Sequence, residues 1–427
     1  MFESLFDVSD AAGEAELRAV VEGLETLKAR AAAMQARATA LWAAKRAARE
    51  DADDVPKAKR GKGLTTEIAL ARREAPVRGG QHLGFAKALV HEMPYTLAAL
   101  ESGVLSEWRA TLVVRASACL SLEHRRQLDQ QLCGDPSRLL GWGDARVEAE
   151  AKKITAHLDA AAVVERGRRA VKDPGVRVRP VSDTMAEVTV RLPMAQSVGI
   201  YAACKREADM TFDGRPRGQI MAETIYQRVT GRPAEAPIPM TLNLVLADTT
   251  LFGEDDCPGW VTGYGPAPAT VLRKLIRDAA LDENTKATLR RLYHHPGTGQ
   301  LVAMESKARI FPKGLARFIE LRDQTCRTPY CNAPIRHHDH ATPARNGGPT
   351  NALNGEGLCE ACNYAKEAPG WHVRTEINNG EHTAVFRTPT GAVYHSTAPP
   401  LPGPPVRRKL SLLEGRLNID LVTFDAA

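Results

Sequence analysis

The sequence predicts a mainly α chain of α+β character. A large helical N-terminal region with a few strands should precede a small domain stapled by a metal ion. Three observations carry that expectation. Aromatic residues make up only 5% of the 427 residues while alanine is abundant, which favours helices over sandwiches or barrels. Residues 14–50 hold a sustained apolar repeat at helical spacing. Towards the C-terminal end, four of the eight cysteines fall in two close pairs, Cys326/Cys331 and Cys359/Cys362.

The first helix is read from Leu17, Val20, Leu24, Leu27, Ala31, Met34, Ala38 and Leu41, which recur at steps of three and four. Such a stripe packs either inside one bundle or against a second copy of the chain, so a homodimer through this helix stands as an expectation. Residues 50–63 follow as a charged linker, four acids and then four Lys/Arg with Pro56, Gly61 and Gly63. From Leu64 to about Arg169 the text stays helical. Thr65 and Thr66 stand ahead of a short helix, Ser106 and Ser121 offer N-caps, and Pro94 and Gly103 break the run. In the helix after Ser106, the residues Trp108, Leu112, Val113 and Val114 read as core, whereas a DNA-reading helix would carry polar and basic side chains. Residues 184–192 and 240–248 alternate as strands, with a helix over MAQSVGIYAACKREADM between them. Gly263, Gly265 and Pro266 lead into another helix.

The expected division is therefore a long helix and linker (1–63), a helix-rich α+β domain (64–305), a cysteine-bearing domain (306–375) and a closing segment (376–427). The last comprises a strand segment, a Pro-rich linker at 398–405 and a short tail at 406–427. A formal charge of +6 with pI near 8.9 is mildly basic and compatible with nucleic acid. No apolar run approaches the roughly 18 residues of a membrane span, and Met1-Phe2-Glu3-Ser4 lacks the basic start of a signal peptide. The expectation is a soluble cytoplasmic protein with reduced thiols and no membrane partner. Cys119, Cys133, Cys204 and Cys257 are scattered singly and read as buried, inert thiols.

The paired cysteines read differently. C-x4-C and C-x2-C with 27 residues between the pairs supply two knuckles for one tetrahedral ion, and four thiolates suit Zn2+. Between the pairs, IRHHDH reads as a short strand ending in a polar cluster and NGGPT as a sharp reversal, while GLCEACNYAKE reads as a short helix. This hairpin followed by a helix resembles the HNH endonuclease motif, the ββα-metal site, in its HNN form. The pattern is carried by Asp339, His340, Pro343, Gly347, Gly348, Thr350, Asn354, Leu358, Cys359, Cys362, Asn363 and Lys366.

That resemblance implies His340 as general base and Asp339 with Asn363 as ligands of a catalytic divalent ion, Mg2+ or another. It implies that Asn354 orients His340 and braces the loop. The residue types suit phosphodiester hydrolysis on chemical grounds. A neutral imidazole can take a water proton near pH 7, and a carboxylate with an amide oxygen leaves a hard cation open positions for substrate. Where such motifs commonly carry leucine after the asparagine, this chain has Gly355. His337 and His338 crowd the same strand. Arg345 and Lys366 are the nearest phosphate contacts, in a stretch (309–375) with nine Lys/Arg against six Asp/Glu. Residues 1–310 resemble the poorly characterised region found in front of HNH motifs in many actinobacterial proteins, notably at EMPYTLAALESGVLSEWRA and GYGPAPA. The expected function is a DNA endonuclease; the alternative is a zinc-stapled nucleic-acid-binding protein without catalysis.

Overall fold

A computed structural model describes residues 8, 10–181, 185–234, 244–253, 255–262, 264–281, 311–378 and 380–402. The expected strand at 240–248 is described only from Leu244; Gly263 and the tail at 406–427 lie outside the described residues. The protein is mainly α with several small sheets, and it divides into two compact units. The first comprises Met1–Asp173 with Pro329–Cys331 and Tyr364–Trp371; the second comprises Pro174–Thr328, Asn332–Asn363 and His372–Ala427.

The first unit is a helical bundle: α1 (Glu14–Ala52), α2 (Leu64–Ala71), α3 (Gly79–His91), α4 (Pro94–Glu101), α5 (Glu107–Ala116), α6 (Leu122–Cys133), α7 (Asp144–Leu158) and α8 (Ala160–Val171). Helix α1 lies against α3, α4 and α5 through a face of small residues, Ala29, Ala32, Ala33, Ala36, Ala40 and Ala43. Alanine lets helix axes approach closely and costs no side-chain entropy. The apolar stripe read from the sequence is not that face. Leu17, Leu24, Ala31, Met34, Ala38 and Leu41 are exposed, and Val20 and Leu27 only half-buried. The bundle core is instead filled by Leu89, Met93, Leu100, Leu105, Val113, Leu128 and Val147, each worth about 1.5–3 kcal/mol when fully buried.

Local signals behave as their chemistry requires. The Ser106 hydroxyl accepts from Arg109 N at 3.3 Å and the Ser121 hydroxyl from His124 N at 3.2 Å, capping α5 and α6. Helix α2 starts earlier than Thr65–Thr66 suggests, at Leu64, and buries Thr66. The start of α4 is capped from another helix: buried Asp129 accepts from Tyr95 N at 2.8 Å and from Thr96 N at 2.7 Å. Burial raises the Asp129 carboxyl above its ordinary range, against these hydrogen bonds. On α5, Leu112 and Val113 are buried, but Trp108 is 52% exposed and Val114 only packs on the edge of the core. Cys133 is buried and its thiol pushed up to about 12 by desolvation, which makes it inert; Cys119 is only half-buried.

The second unit begins with a two-stranded ribbon, β1 (Gly175–Pro180) and β2 (Ala186–Arg191), followed by α9 (Met194–Met210) and α10 (Arg217–Thr230). A small antiparallel sheet of β3 (Leu244–Val245), β4 (Gly259–Val261) and β5 (Gly265–Ala267) comes next. It is interrupted by α11 (Asp248–Phe252) and followed by α12 (Ala269–Leu281), whose Leu272 packs on Val261 and Ala267. The remaining elements carry the site: α13 (Lys313–Asp323), the hairpin β6 (His337–His340) and β7 (Gly355–Leu358), and α14 (Glu360–Lys366). The sheet of β8 (His372–Asn378), β9 (Glu381–Arg387) and β10 (Val393–Thr397), in the order β10-β9-β8, closes the described chain.

Candidate functional site

The hairpin is suspended from buried charge. At the end of α13, Arg322 and Asp323 are both buried and pair with each other at 2.7 Å. Arg322 donates to Gly355 O at 2.7 Å and to Ala352 O, and Asp323 accepts from Gly357 N at 2.8 Å. These bonds fix the backbone of β7. Burial opposes the charge on Asp323, yet the Arg322 and Arg327 guanidinium groups hold its carboxyl below the ordinary range. A small apolar cluster of Phe311, Leu315, Phe318, Ile319 and Ala352 packs beside it. It also accounts for Gly355. A Cβ at that position would stand 2.6 Å from Ile319 Cδ1 and 2.7 Å from Phe311 Cε1, so a larger side chain has no room here.

Strands β6 and β7 pair antiparallel with Asp339 opposite Glu356 and His340 opposite Gly355. The connection turns at Gly347, whose φ of +85° lies in the left-handed region open to glycine. Asn354 holds this turn together. Its side-chain oxygen accepts from Thr342 N at 2.9 Å, and its amide donates to Thr342 O at 3.0 Å and Pro349 O at 2.8 Å. Both amide hydrogens are thus committed to backbone. The imidazole is met by another residue: His340 Nε2 lies 2.8 Å from Thr350 Oγ1, both side chains buried. Sequence reasoning gave Thr350 no role, although it stands in the Gly-Gly-x-Thr turn.

The other imidazole nitrogen, Nδ1, lies 3.9 Å from Asp339 Oδ1. The Phe311 ring packs on the imidazole at 4.7 Å between centroids. Asn363 stands on α14, with its backbone N donating to Cys359 O at 3.0 Å. Its side-chain oxygen is buried without a hydrogen-bond partner among the described residues. Of the phosphate candidates, Arg345 is exposed on the turn while Lys366 is buried at the end of α14. His338 Nε2 lies 3.2 Å from Glu320 Oε1, and His337 is half-buried on the same strand.

The four cysteines converge. Cys326, Cys331, Cys359 and Cys362 form no disulfide, and their sulfurs lie within 4.8 Å of one another. A tetrahedral zinc with Zn–S bonds of about 2.3 Å needs sulfur–sulfur edges of about 3.8 Å, so the cluster matches the ion within about an ångström. The first knuckle is closed by Cys326 N donating to Ala333 O at 2.9 Å. The cluster can bind a metal ion such as zinc. Among the described residues, no helix is long and apolar enough to cross a membrane.

His382 on β9 adds a pH dependence. Its Nε2 lies 2.8 Å from Leu353 O, and burial, reinforced by the Arg322 charge, pushes its pKa down to about 4 from 6.5. The folded protein therefore keeps this ring neutral where the unfolded chain would protonate it. Its contribution is complete above pH 6.5 and is lost as pH falls towards 4, on the order of 3 kcal/mol in all. Denaturation of His382→Gln and of the native chain at pH 7 and pH 5 checks this. The difference in stability between the two should narrow at pH 5 by about 2 kcal/mol; an unchanged difference would show that His382 does not titrate in this window.

Comparison with known proteins gives relatives of undetermined activity. A stretch of 165 residues is 30% identical to the uncharacterized protein Rv3776 of Mycobacterium tuberculosis strain H37Rv, covering 34% of this chain and 28% of that protein. Stretches of 136 residues are 32% identical to the uncharacterized proteins MT2160 of strain CDC 1551 and Rv2100 of strain H37Rv, covering 31% of this chain and 22% of each relative. The matches therefore span about a quarter of the relatives' own length. No family model and no solved structure matches the chain.

Proposed function

We propose that this protein is a metal-dependent endonuclease of the HNH type that hydrolyses phosphodiester bonds of DNA, with zinc on the four cysteines as a structural staple. The observation that carries this reading is the buried side-chain oxygen of Asn363, without a hydrogen-bond partner among the described residues, on the helix that follows the β6–β7 hairpin. Leaving such an oxygen unsatisfied costs about 1–3 kcal/mol. A hard cation would use it, with the Asp339 carboxylate as second ligand; bound there, Mg2+ or a similar ion would stabilise charge on the phosphate oxygens.

The protein's own groups divide the remaining work. In the tautomer in which Nε2–H donates to Thr350 Oγ1, His340 has its lone pair on Nδ1, 3.9 Å from Asp339 Oδ1, and that nitrogen would take the proton from water. Burial beneath Phe311 limits the ring to one orientation. Asn354 keeps the turn, and with it Thr350, in register. Arg345, exposed on the turn, would meet phosphate, and the excess of nine Lys/Arg over six Asp/Glu across 309–375 suits a polyanion.

The test is incubation of purified protein with supercoiled plasmid in Mg2+ or Mn2+ against EDTA. Cleavage that needs the divalent ion supports the reading. Asn363→Ala should raise the Mg2+ concentration for half-maximal cleavage by about tenfold or more while zinc content stays unchanged. Binding of plasmid without cleavage under any divalent ion would overturn the nuclease reading in favour of a zinc-stapled binding module.

A further inference from the structure

Helix α14 has seven residues, too few to keep its shape in water without support at both ends. At its start stand Cys359, directly before it, and Cys362, two members of the cysteine cluster. Its other end runs into a tight turn. Ala368 N donates to Ala365 O at 3.1 Å, Gly370 takes a φ of +82°, and Trp371 N donates to Ala368 O at 3.3 Å. Lys366, Ala368 and Trp371 are buried. The segment Tyr364–Trp371 belongs to the first unit, which also holds Gly63.

Trp371 rests on the loop before α2. Residues 50–63 are not the open linker that their charge suggests. Glu50 accepts from Gly61 N at 2.8 Å, and Arg60 donates to Val55 O at 2.7 Å and pairs with Asp51 at 2.5 Å. The loop ends at Gly63, whose φ of +78° favours glycine. A Cβ on Gly63 would stand 2.4 Å from Trp371 Nε1 and 3.1 Å from Ala368 Cβ, so the indole lies directly on the glycine. Trp371 Nε1 has no hydrogen-bond partner among the described residues. Packing therefore holds the ring, and packing against a bare Cα leaves no slack.

We propose that Trp371 is a positioning residue for Asn363: its indole, seated on Gly63, clamps the end of α14 and so fixes the amide oxygen that meets the divalent ion. This rests on the reading of Asn363 as a ligand. Asn363 lies between the two supports, one residue after Cys362 and three before Lys366. With the cysteines alone, the far end of so short a helix is free to swing, and the amide swings with it. Mg2+ demands near-ideal geometry from its oxygen ligands, so a loosened ligand weakens the ion first.

The test is Mn2+ binding to the full chain without DNA, read by electron paramagnetic resonance. Trp371→Ala should raise the Kd for Mn2+ by about tenfold or more, the loss that follows when an outer support of a metal ligand is removed. Trp371→Phe keeps a flat ring on Gly63 and should stay within about threefold of the native chain. Zinc content should remain at about one per chain in both. Gly63→Ala reaches the same contact from the other side, should raise the Kd as well, and decides the matter if Trp371→Ala does not fold. A lowered melting temperature in Trp371→Ala with unchanged Mn2+ affinity would reduce the ring to a structural role and overturn the proposal. Asn363→Ala separates the two readings. If it loses Mn2+ affinity and Trp371→Ala does not, only the positioning role falls. If Asn363→Ala binds Mn2+ as the native chain does, or the native chain binds none, the ligand reading falls and the positioning role with it.

Discussion

His340→Ala should abolish plasmid cleavage while leaving the protein folded, zinc-loaded and able to bind DNA. A well-placed general base contributes about 10²–10⁴-fold to rate, and phosphate affinity resides in Lys and Arg. The imidazole sits at the strand end opposite Gly355, touching Thr350 and Phe311, and its loss removes no bond from the backbone of the hairpin. The structural cost should therefore stay near that of one truncated ring. His338→Ala is the matched control, because that ring lies on the same strand but turns to Glu320 on α13. Measured side by side, His340→Ala should lose at least about a hundredfold in cleavage rate and His338→Ala little. If His338→Ala were the inactive protein, the base would be the neighbour; if neither lost activity, the cleavage would come from elsewhere.

Cys359→Ser should have the largest effect on stability. Structural zinc on thiolates contributes about 10–16 kcal/mol of apparent binding energy in small domains, most of it inseparable from folding. A serine hydroxyl does not ionise at neutral pH and is a poor ligand, so three thiolates would be left at a site sized for four. Elemental analysis should fall from about one zinc per chain towards none. Because Cys359 directly precedes α14 and Asn363 N bonds back to Cys359 O, loss of the ion should also loosen the helix that carries Asn363. Full zinc retention in Cys359→Ser would remove the four-cysteine site from consideration.

How much of the molecule is legible in the sequence depends on what each feature rests upon. The caps at Ser106 and Ser121 depend on three neighbouring residues, and so can be read locally. The cysteine pairs are legible because few other arrangements use thiols at that spacing. The orientation of α1 is not. Its leucines and alanines share one helical period, and hydropathy alone favours the leucines as core; close packing against α3 and α4 selects the alanines. Trp108 likewise reads as core and is exposed. Buried Arg322, Asp323 and Arg327 are invisible in the sequence because charged residues read as surface until their partners are known. The contact between Thr350 and His340 spans ten residues and exists only once the Asn354-braced turn is formed.

Arg327 bears on the order in which the protein is made. Its guanidinium is buried beside the first cysteine of the cluster and donates to His382 O and Ser396 O. These acceptors lie 55 and 69 residues further along the chain. At about 5–20 residues per second, synthesis leaves several seconds between the appearance of Arg327 and that of its last partner. During that interval the guanidinium has Asp323 close by, 3.9 Å away in the folded protein, but lacks both backbone acceptors. Completion of the Arg327 hydrogen bonds thus waits for the C-terminal sheet, and a chain that stops short of Ser396 leaves this buried guanidinium one acceptor short.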